Sequence, residues 1–406
     1  MKTIDRFLKY ISIETESNEK NDAQTPSTDT QWELARVLVE ELKELGIEDA
    51  HTNEFCTVYA HIPATPGYED QIPFGFMAHI DTVPNGKGIK PRLIEHYDGE
   101  DVVLESGVKI CVKEHPHLPS LKGRTLVVTD GTTILGADDK AGVAVIMSMC
   151  ERIVKENIPH GRICIAFTPD EEIGTGVDKF DLKEFDATFA VTVDGGAENC
   201  IEAECFNAAS AKVKAEGVET HPGSAKNIMV NAVKILAEFT QLLPKEEIPE
   251  KTEDREGFYH LLEMSGDVEH ASASYILRDF EKESQEKRKQ MMRELCEKLN
   301  EKYGREVLTL EIKDSYYNMY EVVKQYPELL KNIEKAIENT GMTPEYLPIR
   351  GGTDGCRLSF EGLPCPNLGA GAYGFHGFHE HCTVEGLENS VNMMLELVKL
   401  YAVCGR

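Results

Sequence analysis

Three short apolar runs, each stopped by polar or glycine-rich residues, mark the first half of the chain: Phe74 to His79, Arg162 to Thr168 and Phe189 to Val193. Continuous runs of this length, without polar alternation, predict strands buried on both faces. Around them apolar residues recur at helical spacing. Trp32, Ala35, Leu38, Val39, Leu42 and Leu45 line one face of an amphipathic helix, and Lys140 to Lys155 reads as another. Strands alternating with helices predict a largely parallel sheet covered on both sides. After about Asn207 the pattern changes. Ala209 to Glu216 alternates as a strand, Asn227 to Leu243 is helical, and Glu263 to Phe280 holds two strand-like stretches. Lys282 to Tyr303 is a long charged helix with Met291, Met292, Leu295 and Leu299 as its apolar stripe, and Val307 to Ile312 closes the series as a strand. That order suggests a small α+β, ferredoxin-like module on one antiparallel sheet. Beyond Tyr316 the earlier style returns, with a helix at Leu329 to Asn339 and a closing helix from Leu387. The expected organisation is an α/β domain in two parts, 1–207 and 315–406, interrupted by an inserted α+β domain over 208–314.

The 406-residue length fits two domains better than one core. Lys and Arg total 43 against 71 for Asp and Glu, a formal net charge of −28. Nucleic acid and anionic membranes both require a basic footprint, so neither is expected as a partner. The longest nearly unbroken apolar run, Ala141 to Cys150, falls far short of the roughly 20 residues that span a bilayer. Charges interrupt the N-terminal MKTIDRFLKY, which therefore does not read as a signal peptide. Eleven cysteines without any C-x-x-C read as free thiols of a reducing cytoplasm.

In a parallel sheet, ligands gather beyond the carboxyl ends of the strands. There the chain places His79-Ile80-Asp81, then Pro169-Asp170-Glu171-Glu172 after Thr168, then Asp194-Gly195-Gly196. Gly136-Ala137-Asp138-Asp139-Lys140 opens a helix, and Phe375 to His381 adds three imidazoles. Each piece alone has an ordinary reading as a helix cap, a turn or a solvated loop. Their convergence on one sheet edge is what favours a site. Imidazoles and carboxylates without thiolate suit Zn, Mn or Co held for hydrolysis.

These stretches also resemble the peptidase T family of tripeptide aminopeptidases, within the broader family of two-zinc exopeptidases and deacylases. The resemblance is carried by HIDT at 79–82, LGADDKAG at 135–142, AFTPDEEIG at 166–174, VDGG at 193–196, FNAAS at 206–210, HPGSAK at 221–226, EGFYH at 256–260, ILRDF at 276–280, SYYNM at 315–319 and IRGGTDG at 349–355. It implies two Zn²⁺ per subunit, with Mn²⁺ or Co²⁺ as substitutes. His79 and Asp194 would bind one ion, Glu172 and His376 the other, and Asp138 would bridge them. His376 begins an H-x-x-x-E pattern completed by Glu380, and His379 is the next choice. Asp81, two residues beyond His79, can accept from the ligand imidazole. Glu171 and Glu172, neighbours in an extended segment, would point their carboxylates apart, leaving Glu171 as general base toward a water shared by the metals. Asn207, His221, Arg278 and Arg350 would contact the peptide, His221 often from the second subunit of a homodimer formed through the inserted domain. The inserted domain would act as a lid. The chain departs from the family wording at Phe378, where a Lys tends to stand, and at His381, where a bulky residue does. On these grounds the expected activity is hydrolysis of the N-terminal bond of tripeptides in the cytoplasm. A carboxypeptidase or N-acyl amino acid deacylase on the same scaffold is the alternative. A non-catalytic metal- or peptide-binding protein is the third, and Asp81 and Glu171 argue against it because binding alone needs neither.

Overall fold

A computed structural model describes residues 1–403. The chain forms two compact units: Met1–Ala203 with Glu321–Leu347 and Thr353–Arg406, and Glu204–Tyr320 with Pro348–Gly352.

The first unit is built on an eight-stranded sheet in the order His51–Thr52, Val58–Ile62, Ile163–Thr168, Phe74–His79, Phe189–Gly195, Asn367–Gly369, Cys200–Glu202 and Glu345–Tyr346. The four central strands run parallel to one another, as their unbroken apolar runs predict. Antiparallel pairings occur nearer the edges, at 51–52 with 58–62, 58–62 with 163–168, and 200–202 with 367–369, so the whole sheet is mixed. Strand side chains alternate between two cores. Phe76, Ala78, Ile165, Phe167 and Val191 pack with residues of the helices Thr3–Ile11, Ala137–Glu156, Pro327–Asn339 and Val384–Val403. Met77, Cys164, Ala166 and Ala190 turn the other way, onto Phe185 and Leu358 of the short helices Leu182–Phe185 and Asp354–Phe360. Gly75 has no side chain because a Cβ there would stand 2.5 Å from the Phe185 ring.

A second, four-stranded sheet in this unit is absent from the sequence reading. Ala372–Tyr373, His381–Thr383, Leu126–Val128 and Arg92–Ile94 lie in that order. The first two pair as an antiparallel hairpin with Tyr373 opposite His381, and residues 374–380 form its loop.

The second unit is a four-stranded antiparallel sheet in the order Phe258–Gly266, His270–Asp279, Asn207–Glu216, Leu308–Tyr316. Ala232–Leu242 and Lys282–Tyr303 pack on it through Ile235, Leu236, Phe239, Met292 and Leu299. The strand-helix-strand-strand-helix-strand order is the ferredoxin-like one. The first helix begins later than its apolar pattern suggests, because Asn231 accepts from the backbone N–H of Lys234 and caps it there.

Candidate active site

Three adjacent parallel strands end together and set the site. His79 pairs in register with Thr168, and Met77 with Thr192. The segment 169–172 and Asp194 therefore reach the same edge as His79. Beyond Thr168 the chain turns through Asp170, whose φ of +55° is rare for a residue with a side chain. Ser27 and Gln31 hold the Asp170 carboxylate with three hydrogen bonds. Glu171–Ile173 then forms a single 3₁₀ turn, not the extended segment expected from sequence. The two glutamates still reach different imidazoles. Glu171 Oε2 lies 4.0 Å from His79 Nε2, and Glu172 Oε2 lies 3.0 Å from His376 Nε2.

Asp138 occupies the centre. One carboxylate oxygen stands 2.9 Å from His79 Nε2 and the other 3.0 Å from His376 Nε2. Asp194 lies on the His79 side at 3.5 Å, and Glu172 on the His376 side. His376 itself has φ +63° in the hairpin loop. His379, the other candidate in that loop, packs instead against the His115 ring.

Asp81 faces the His79 imidazole as expected, but its carboxylate is not the nearest acceptor. The Nδ1 of His79 is satisfied by the backbone carbonyl of Asp81 at 3.0 Å, with the carboxylate farther off at 3.3 Å. That carboxylate accepts the backbone N–H groups of Glu171 and Glu172, so Asp81 fixes the turn carrying both.

Several residues have supporting roles that the sequence does not show. Glu380, fully buried, accepts the backbone N–H groups of Leu135, Gly136 and Asp138 and so holds the Asp138 loop. Asn367 accepts from the backbone N–H of Asp194 and donates to Glu202. Asp139 accepts the backbone N–H groups of His79 and Gly142. Gly142 must be glycine, since a Cβ would stand 1.9 Å from the Val193 carbonyl oxygen. Of these, only Asp139 and Glu380 carried a signal, as members of the LGADDKAG and H-x-x-x-E patterns.

The electrostatics call for positive charge. Asp138, Asp139, Glu171, Glu172 and Asp194 crowd together, and among the described residues only histidines form ion pairs with them. Burial, then neighbouring carboxylates, push Asp139, Glu171 and Asp194 well above the usual carboxylate range, and Glu172 upward too. For Asp138 burial works the same way, but hydrogen bonds to His376 and His79 outweigh it and hold it low. Hydrogen bonds to Asp138 and Glu172 raise His376 to about 10. Burial lowers His79, yet Asp194, Asp138 and Asp81 outweigh it and the net shift is upward. One oxygen of Glu172, Oε1, is buried with no partner at all. Two groups bring three donor atoms within 4.8 Å: His79 with Asp138 and Glu172, and His79 with Asp139 and Asp194. An orphaned buried oxygen within an uncompensated carboxylate cluster fits divalent cations of the Zn, Mn or Co class.

The remaining four expected site residues belong to the second unit. The Asn207 amide donates to the Asp279 and Phe280 carbonyls and accepts from the Asn318 N–H, so it ties its own unit together. The Arg350 guanidinium donates to the Asp254, Glu256 and Thr252 carbonyls and lies over Phe206. Neither has the free fork or amide that gripping a peptide requires. Arg278 stands over the Tyr316 ring and donates to the Leu277 carbonyl. His221 is exposed, and its Nδ1 accepts from the Gly223 N–H.

Among the described residues no helix is long and apolar enough to cross a membrane. Residues 128–400 match the model of peptidase family M20/M25/M40. Peptidase T of Geobacillus sp. (strain WCH70) is 46% identical over 403 residues, covering 98% of both chains. The aminopeptidase PepT from Bacillus cereus ATCC 10987 shares the fold, with a TM-score of 0.77, 22% identity and coverage of 99% and 98% of the two chains. So does the Bacillus subtilis YXEP protein, a dinuclear metal binding peptidase from the M20 family, with a TM-score of 0.66, 14% identity and coverage of 99% and 98%. A family match over most of the length and near-half identity to a full-length relative agree with the carboxylate and imidazole cluster at the sheet edge: the chain belongs to peptidase family M20/M25/M40.

Proposed function

We propose that the chain is a cytoplasmic di-zinc aminopeptidase that removes the N-terminal residue of tripeptides, with Mn²⁺ or Co²⁺ able to replace Zn²⁺. The observation that carries this reading is the two-sided Asp138 carboxylate, each oxygen facing a different imidazole. His79 and Asp194 would hold one cation and His376 and Glu172 the other, with Asp138 between. Bound there, the cations supply Lewis acidity toward the scissile carbonyl and make a water acidic enough to attack near neutral pH. Glu171 takes the proton of the attacking water and returns it to the leaving amine. Its burial suits that role, because a carboxyl raised toward the working pH both accepts and releases a proton readily. Asp81 keeps Glu171 and Glu172 in their turn through the two backbone hydrogen bonds.

A free amine distinguishes this reading from a deacylase or carboxypeptidase. Chelator-treated protein should lose activity and regain it with Zn²⁺, Mn²⁺ or Co²⁺. The restored enzyme should cleave trialanine at its first bond and leave N-acetyl-trialanine intact. Cleavage of the acetylated peptide instead would establish the deacylase or carboxypeptidase. Activity that survives with metal shown absent would sink both.

His221 is proposed as the donor to the developing oxyanion. Because its Nδ1 accepts a backbone N–H, the uncharged tautomer carries its proton on Nε2, which can donate. His221→Ala should lower kcat by roughly 10²–10³-fold with metal content unchanged. Mixed dimers of His221→Ala and Glu171→Gln chains should recover activity if the imidazole comes from the other subunit. An unchanged kcat removes His221 from the mechanism.

A further inference from the structure

The roles assigned so far leave a second group of imidazoles unused. His115 and His117 come from the segment before Leu118–Leu121, and His379 and His381 from the far end of the hairpin loop that begins near His376. The His117 and His381 rings are nearly parallel, 11° apart, with centroids separated by 5.1 Å. Their Nε2 atoms face each other at 2.8 Å. His115 completes the group, with its ring centroid 5.9 Å from His117 and 5.6 Å from both His379 and His381.

The tautomer of His381 follows from its other nitrogen. Nδ1 lies 2.6 Å from the His379 carbonyl oxygen, which can only accept, so Nδ1 carries the proton. Nε2 is therefore a bare lone pair aimed at His117. A backbone carbonyl that fixes a ring in this way is the usual support of a metal-ligating histidine. The 2.8 Å contact is then a hydrogen bond from the His117 Nε2–H into that lone pair, and a cation takes the place of this proton once His117 adopts its Nδ1–H tautomer. Burial pushes His117 down to about 4 and His381 down to about 3, so neither ring carries charge at ordinary pH. A cavity of about 390 Å³, lined by His117, Tyr373, Arg124 and Glu198 among others, gives an ion a path to His117.

We propose that His115, His117, His379 and His381 bind one borderline transition-metal cation, of the Zn²⁺, Co²⁺ or Ni²⁺ class, at a site separate from the Asp138 centre. Imidazole-only ligation selects these ions over Ca²⁺ and Mg²⁺. Zn–N bonds of 2.0–2.1 Å in tetrahedral geometry separate two nitrogens by about 3.3 Å, so the His117–His381 pair opens by about 0.5 Å on binding. Only the His117–His381 pair stands near ligand spacing, and His115 and His379, with ring centroids 5.6 Å apart, would have to turn their side chains to complete the set. Bound metal would tie residues 115–117 to the chain on both sides of Glu380, the carboxylate that holds the Asp138 loop.

The test counts metal. Chelator-stripped protein is dialysed to equilibrium against Zn²⁺ and analysed by mass spectrometry for metal per chain. The wild type should take up one equivalent more than His115→Asn/His117→Asn, whatever the Asp138 centre holds. Equal counts in the two proteins overturn the site, because any extra zinc then sits elsewhere. Far-UV circular dichroism checks that the double variant is folded. Should it not fold, His115→Asn alone should weaken the additional equivalent by at least ~10-fold, and an unchanged affinity overturns the proposal equally. Glu172→Gln, on the other centre, should leave the additional equivalent in place.

Discussion

Glu171→Gln is expected to lower kcat on a tripeptide by about 10²–10⁴-fold while the cation content stays as in the wild type. Gln keeps the size and shape of the side chain and the backbone hydrogen bond to Asp81, and loses only the ability to accept a proton. The structure separates Glu171 from its neighbour in a way that makes the comparison sharp. Glu171 stands 4.0 Å from the nearest imidazole nitrogen, whereas Glu172 stands 3.0 Å from His376 and buries an oxygen with no protein partner. Glu172→Gln should therefore act on affinity, reducing metal per chain, with activity partly recovered at high Zn²⁺. Steady-state kinetics and metal analysis on the two variants decide between the roles. If Glu171→Gln loses metal and Glu172→Gln retains it with a depressed kcat, base and ligand are exchanged.

The sequence was most readable where burial is complete. Phe74 to His79 is apolar because both of its faces meet helices, and the structural strand has the same ends. The runs read as Arg162 to Thr168 and Phe189 to Val193 are strands at Ile163–Thr168 and Phe189–Gly195, within two residues at each end, and with them come the strand termini near His79, Glu171, Glu172 and Asp194. Lys282–Tyr303 was equally plain as a long helix, but its buried stripe runs through Gln285, Lys289, Met292, Cys296 and Leu299 and leaves Met291, expected on that face, exposed. The small sheet of 92–94, 126–128, 372–373 and 381–383 was not, since strands of two or three residues are too short to show a period. Nor can residue type reveal how a side chain's hydrogen bonds are used. Arg350 and Asn207 have the chemistry to grip a peptide, and the fold engages them on backbone carbonyls. Glu380 and Asn367 show the reverse. Asn367 looks like an ordinary surface-type polar residue and Glu380 only completes a pattern, yet both are buried against the backbone of the residues that make the site. Asp81 falls between the two cases, since its place beside His79 was legible and its hold on the backbone of Glu171 and Glu172 was not.

Asp138→Asn is expected to remove both cations together, a loss that distinguishes a bridging ligand from any terminal one. The substitution is nearly isosteric, but an amide has one lone-pair oxygen and one NH₂ group that cannot ligate. Whichever way it turns, one of the two imidazole-bearing sides loses its central donor, and the other keeps only a neutral amide oxygen in place of the shared carboxylate. Outer-shell partners already cost about 10–100-fold in affinity when mutated, so a shared inner ligand should cost on the order of 10³-fold or more. His376, held near 10 by hydrogen bonds to Asp138 and Glu172, should titrate at lower pH in the variant because the larger of its two supports is gone. The same electrostatics fix the pH dependence of the wild type. Burial raises Asp194, Glu171 and Glu172, and their neighbours raise His79 and His376, so the cation-free cluster holds protons that bound cations displace. Affinity should therefore fall as pH falls, and Zn²⁺ titration calorimetry in buffers of different ionisation enthalpy should register net proton release. Asp138→Asn should release fewer protons per cation, since one buried negative charge that held the imidazoles protonated has been removed. Loss of a single cation with the other bound at wild-type affinity would show that Asp138 serves one side alone, and the two-sided geometry would then have no catalytic meaning.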